Sequence, residues 1–122
     1  MSAKQKDFGA ELILDLQDCD AATIRSRQKI DAFVRKLCRR IKMKRYGEPL
    51  IEHFGHKNPL TSGYSLIQLI ETSCISAHFS EGKNSVYMNV FSCKAFDPAD
   101  AAKFCKEYFG AKKMRKHFLI RK

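Results

Sequence analysis

Residues 64–93 read YSLIQLIETSCISAHFSEGKNSVYMNVFSC, and three short strands can be traced through them. The first runs from Tyr64 to Glu71 and is largely apolar, and the second is Ile75 to Phe79. The third, Ser85 to Ser92, alternates cleanly. Val86, Met88 and Val90 fall on one side and Tyr87, Asn89 and Phe91 on the other, the period of a strand with one buried face. Glu81-Gly82-Lys83-Asn84 has the length and composition of a hairpin turn between the last two. The middle of the chain is therefore expected to be antiparallel sheet.

Outward from this stretch the pattern changes. Upstream, Leu12, Leu14 and Leu16 alternate within Gly9 to Leu16 and predict another half-buried strand. Asp20 reads as an N-cap, and Ile24, Ile30, Phe33, Val34, Leu37 and Ile41 give one apolar stripe to a helix over 21–41. Leu50 to Phe54 is expected to be a short strand in a region punctuated by Pro49, Gly55, Pro59 and Gly63. Downstream, Asp97-Pro98 opens a second helix with an apolar face of Ala101, Ala102, Phe104, Cys105, Tyr108 and Phe109. Gly110 closes it, and Phe118 to Ile120 forms a last edge strand. The order β-α-β-β-β-β-α-β predicts a single α+β domain over 1–122. It is expected to be a two-layer sandwich with a mostly antiparallel sheet covered on one face by two helices.

Composition narrows the functional classes. The chain has 122 residues, 44% of them hydrophobic, which suffices for one modest core. The net charge is +10, much of it on the back of the first helix (Arg25, Arg27, Lys29, Arg35, Lys36, Arg39, Arg40, Lys42) and in the tail. A solvated helix face accounts for such a run, and a nucleic-acid-binding module is the competing reading. Against the latter, no strand carries an RNP-like aromatic motif. Cys19, Cys38, Cys74, Cys93 and Cys105 are odd in number and contain no CxxC pair. The polar start has no signal-peptide core, and no apolar run has membrane-span length. Free thiols in a reducing cytoplasm, with no membrane partner, are expected. There is no P-loop, GxGxxG or HExxH, and His53, His56, His78 and His117 are not spaced with the cysteines as zinc ligands, so no metal is expected.

The chemistry-bearing residues are concentrated in Gly63-Tyr64-Ser65, then Glu71 to His78, then Val90-Phe91-Ser92-Cys93. This order resembles the prokaryotic S-adenosylmethionine decarboxylase proenzymes, with their G-V-S, E-S-H-x-x-x-H and V-F-T-C segments. The spacings of five from Ser73 to His78 and twenty from Ser73 to Cys93 are those of the family. Gly9 to Cys19 is similar to the family's opening G-x-H-L-L-x-D-L-x-x-C, so the resemblance spans most of the chain.

The resemblance implies a self-processing, pyruvoyl-dependent decarboxylase of the spermidine branch of polyamine synthesis. Ser73 would attack the carbonyl of Thr72, cleavage would yield chains 1–72 and 73–122, and Ser73 would become the pyruvoyl group that forms a Schiff base with substrate. It further implies His78 as the acid/base of processing, Ser65 as its helper, Cys93 as the proton donor in decarboxylation, and a homodimer of cleaved protomers.

The chain departs from the family at four places. Thr72 stands where glutamate is usual, and Cys74 where histidine is usual. His78-Phe79-Ser80-Glu81 is one residue shorter than H-T-W-P-E, and Phe54 to Gly63 is several residues longer than F-x-P-x-G. By the resemblance, Glu81 is the candidate to bind the nucleoside sugar, and Phe54, or else His56, to stack on the adenine. With that half of the site altered, L-ornithine or L-arginine is the alternative substrate.

Overall fold

The computed structural model describes residues 7–71 and 73–122. Its strands are β1 (Gly9–Gln17), β2 (Arg45–Phe54), β3 (Gly63–Ile70), β4 (Ser73–Ser80), β5 (Ser85–Ser92) and β6 (Lys113–Arg121). They form one sheet in the order β2-β3-β4-β5-β1-β6, with every neighbouring pair antiparallel. The helices are α1 (Ala21–Ile24), α2 (Arg27–Arg40) and α3 (Pro98–Tyr108).

The period of two decides which face is covered. Leu12, Leu14 and Leu16 of β1 are buried with Ile75, Ala77 and Phe79 of β4 and Val86, Met88 and Val90 of β5. They meet Ile30, Phe33, Val34 and Leu37 of α2 and Ala101, Ala102 and Cys105 of α3 in one apolar cluster. Phe33 is its centre, with ring centroids 4.5 Å from Phe109, 5.2 Å from Tyr108 and 5.9 Å from Phe104. Arg40 clamps α2 to α3 with two 2.9 Å bonds to the Asp100 carboxylate, which holds that carboxyl below its usual range. Much of the basic charge on α2 is used internally in this way: Arg35 meets Asp31 and Glu48, and Arg27 meets Glu52.

Three expectations about the elements are corrected. The single helix over 21–41 is two helices. Asp20 caps α1 through the Thr23 amide at 3.0 Å, and Ser26, in extended backbone, caps α2 through the Lys29 amide at 3.1 Å. A serine that takes up a free helix-start amide begins a new helix at little cost. The freed Arg25 reaches across to Asn84 Oδ1 at 2.9 Å and the Glu81 carbonyl at 2.7 Å. Next, β2 begins at Arg45, five residues earlier than read, and carries a bulge between Tyr46 and Leu50. The buried Gln68 amide donates to the Tyr46 and Gly47 carbonyls there, replacing ladder bonds that a bulge removes. Finally, β6 extends over Lys113–Arg121 and pairs with β1 at nine positions, from Gly9↔Arg121 to Gln17↔Lys113.

The opposite face of the sheet is open. Tyr46, Leu50, Ile67 and Leu69 lie on it as exposed cross-strand pairs, Tyr46 with Leu69 and Leu50 with Ile67. No helix among the described residues is long and apolar enough to cross a membrane.

The start of α3 gives a stability prediction. Asp97 Oδ1 accepts from the Ala99 amide at 3.0 Å and the Asp100 amide at 3.1 Å. Asp97→Ala is expected to destabilise the fold by about 1 kcal/mol, the usual value of a lost N-cap. This is measured as a lower urea midpoint at unchanged slope.

Candidate active site

The site residues fall into two groups at different positions along the central strands. The first is Ser73 with Cys93. Ser73 opens β4 immediately beyond the β3–β4 hairpin, with Ser92 of β5 as its cross-strand partner. Cys93 follows β5, and its backbone N–H donates to Ser73 Oγ at 3.0 Å. Two residues twenty apart in sequence thus meet through the β4–β5 register. Thr72, the other side of the expected scissile bond, lies outside the described residues.

Gly9 makes room for this group. A Cβ at that position would lie 2.3 Å from the Ser92 carbonyl oxygen and 2.7 Å from Cys93 Cα, so β1 enters with its backbone against the Ser92–Cys93 peptide. Beside it is an apolar pocket of about 230 Å³, lined by Cys93, Ala10, Phe96, Phe118 and Ile120 among others. The pocket leaves no signal in the sequence, since only the pairing of β6 with β1 brings Phe118 and Ile120 beside Ala10 and Cys93.

Of the other cysteines, Cys19, Cys38 and Cys105 are buried as packing and Cys74 is half-buried. Burial pushes the Cys19 and Cys38 thiols up to about 11 and that of Cys105 to about 12, and it also raises Cys74. All five are free of disulfides.

The second group is Ser65 with His78, directly opposite one another in the β3–β4 register. Ser65 Oγ is 3.0 Å from His78 Nδ1, and His78 Nε2 is 2.9 Å from the Thr61 carbonyl oxygen. The loop contributing Thr61 carried no side-chain signal for this contact, since the group it supplies is backbone.

The structure does not bring the two groups together within one chain. Five residues of β4 separate Ser73 from His78, about 16 Å at strand rise. The odd spacing also sends their side chains to opposite faces. Ser73 aligns with the helix-covered Ile75, Ala77 and Phe79, while His78 aligns with Cys74 and Ser76 on the open face.

Glu81 and Phe54 are likewise apart. Glu81 Oε2 bonds to His53 Nε2 at 2.9 Å, and His53 stacks on His56 (4.5 Å between ring centroids) and meets the edge of Tyr64. By alternation with Ile51, His53 belongs to the helix side of the sheet, whereas Phe54, 56% exposed, aligns with Leu50 on the open side. Among the described residues, no group of three or more His, Cys, Asp or Glu side chains is placed to hold a metal ion.

Known proteins bear on this arrangement. The sequence matches the family model described as S-adenosylmethionine decarboxylase over residues 10–122. A search of curated proteins gives no match. Among solved structures, the crystal structure of the adenosylmethionine decarboxylase from Aquifex aeolicus is similar with a TM-score of 0.79 and 18% identity, covering 96% of this chain and 92% of that one. At that identity the likeness speaks for the fold, an open antiparallel α+β sheet.

Proposed function

Because the chain belongs to the S-adenosylmethionine decarboxylase family, we propose that it builds its own pyruvoyl group from Ser73 and uses it to decarboxylate S-adenosylmethionine for polyamine synthesis. The observation that carries this reading is the convergence of Ser73 Oγ and the Cys93 backbone at 3.0 Å. In processing, the Ser73 hydroxyl attacks the carbonyl of Thr72 and the amide becomes an ester. Removal of the Ser73 α-proton then expels the upstream chain as a carboxylate. The dehydroalanine left behind takes up water and loses ammonia. Ser73 suits this fate because it follows the hairpin: the cut falls outside the ladder pairs Ser65↔His78 to Ile70↔Ser73, so the sheet keeps both products. A pyruvoyl group at this position supplies the electron-withdrawing carbonyl that decarboxylation requires. Cys93, from the adjoining turn, returns a proton to the substrate's α-carbon. The free thiols are consistent with a reducing cytoplasm.

His78 and Ser65 serve the processing step from a second copy. A dimer formed through the open faces covers Tyr46, Leu50, Ile67 and Leu69. With its two-fold axis running across the strands near Ser76, His78 of one copy is carried over the open face toward the backbone of residue 73 in the other, whose α-proton is the one removed, while the Ser73 side chain stays on the helix side with Cys93.

The test is the intact mass of the purified protein beside a Ser73→Ala variant. Two co-purifying chains, residues 1–72 and pyruvoyl-capped 73–122, are expected from the former and one chain of 14.0 kDa from the latter. An uncut parent chain would overturn the reading. One observation favours a second substrate. Glu81 is engaged by His53 and lies across the sheet from Phe54, so the two candidate nucleoside-binding residues are not assembled, and L-ornithine or L-arginine needs neither. Carbon dioxide release from a panel of the three substrates decides between them.

A further inference from the structure

We propose that the backbone carbonyl of Thr61 is the positioning group that fixes the tautomer of His78 and aims its basic nitrogen at Ser65. This rests on the reading of His78 as the acid/base of processing and adds the element that sets its proton.

The argument begins with the donor and acceptor inventory. A peptide carbonyl can only accept, so the 2.9 Å contact between the Thr61 carbonyl and His78 Nε2 requires a proton on Nε2. In the neutral ring the lone pair is then on Nδ1, and the Ser65 hydroxyl, 3.0 Å away, donates to it. The result is a relay in which Ser65 O–H donates to Nδ1 and Nε2–H donates to the Thr61 carbonyl. When His78 takes up a proton at Nδ1, the same carbonyl remains as acceptor for the Nε2–H of the imidazolium. Ser65 alone cannot select this state, because a hydroxyl donates or accepts equally well.

The Thr61 carbonyl is held rather than merely near. Four successive carbonyls of the loop are each taken by the β4 segment or the turn after it. The Pro59 carbonyl accepts from the Gly82 amide at 3.1 Å and that of Leu60 from the Ser80 hydroxyl at 2.6 Å. Thr61 takes His78, and the Ser62 carbonyl accepts from the Glu81 amide at 2.9 Å. Asn58 closes the loop on itself, its side chain accepting from the Leu60 amide and its carbonyl from the Thr61 and Ser62 amides. Gly55 shapes the entry with φ +72°, and a Cβ there would sit 2.4 Å from the Thr61 carbonyl oxygen.

The test reads the ring directly, in uncut protein, so that it does not depend on whether processing or decarboxylation occurs. With ¹⁵N-histidine label in a Ser73→Ala background, the His78 nitrogens are expected to report Nε2–H with Nδ1 bare. Adding Ser65→Ala should leave that tautomer in place, because the Thr61 carbonyl remains. Adding Gly55→Ala, which drives a methyl into that carbonyl, should give a mixture of tautomers. In a chain that retains Ser73, Gly55→Ala should slow cleavage about 10- to 100-fold, less than the full contribution of a positioned base because the base is misaligned rather than removed. An Nδ1–H ring in the parent, or loss of the Nε2–H form in Ser65→Ala, would overturn the proposal. The Ser65→Ala result stands alone should Gly55→Ala fail to fold.

Discussion

Co-expression of Ser73→Ala and His78→Ala chains is expected to yield cleavage of the His78→Ala chain, although each variant expressed alone stays uncut at about the 14.0 kDa parent mass. The reason is the length and parity of β4. His78 lies five positions from Ser73, about 16 Å along the strand, on the face that the helices leave open. A base must come within hydrogen-bond reach of the proton it removes, so His78 cannot serve the Ser73 of its own chain while the sheet is intact. In a mixed dimer one site combines Ser73 of the His78→Ala copy with His78 of the Ser73→Ala copy, and the other site has neither. Random pairing at equal expression places about half of the His78→Ala chains in such dimers, so about half should be cut. Mass spectrometry of the mixture, with one copy isotope-labelled, reads this directly. No cleavage in the mixture would mean that the two groups do not meet across copies. Wild-type cleavage by His78→Ala alone would remove His78 from processing.

The same parity explains what the sequence revealed and what it withheld. The strand Ser85 to Ser92 was legible because its alternation matches burial from Val86 onward: Val86, Met88 and Val90 are buried while Tyr87, Asn89 and Phe91 are half-exposed. Ser73 and Cys93 were legible as a pair because a spacing of twenty is bridged by one hairpin, which brings Ser73 beside Ser92. Ser65 and His78 converge for the same reason, as opposite members of the β3–β4 hairpin. The odd spacing of five between Ser73 and His78 already implied opposite faces, a consequence that motif matching does not draw.

Other features left little trace. The break at Arg25–Ser26 is a local contest between a cap and a continuous stripe, and the apolar positions on both sides of it fit one helix. β6 is nearly all exposed and strongly charged, so its pairing with β1 leaves only a faint hydrophobic period to read. The carbonyl of Thr61 is invisible in principle, since every residue has one and only loop closure decides where it points. Glu81 is a candidate for the nucleoside sugar by sequence, and its engagement by His53 depends on the turn after β4 meeting the end of β2, 28 residues away in the chain.

Cys93→Ala is expected to leave processing intact and to remove decarboxylation. The interaction that ties Cys93 to Ser73 runs from the backbone N–H of residue 93 to Ser73 Oγ, and alanine keeps that donor. The serine should therefore still be held and cut, giving the same two chains by intact mass. The thiol, by contrast, is the group assigned to return a proton to the substrate, and its loss is expected to lower kcat by about 10²- to 10⁴-fold, the usual contribution of a positioned acid or base. Gly9→Ala makes a useful companion. Its methyl would press on the Ser92 carbonyl and Cys93 Cα from behind, so it should disturb cleavage and decarboxylation together. A Cys93→Ala protein that is cleaved and turns over at the parent rate would place the proton donor elsewhere. One that is not cleaved would move the thiol into the processing step, and the backbone bond at 3.0 Å would then be insufficient to hold Ser73 for attack.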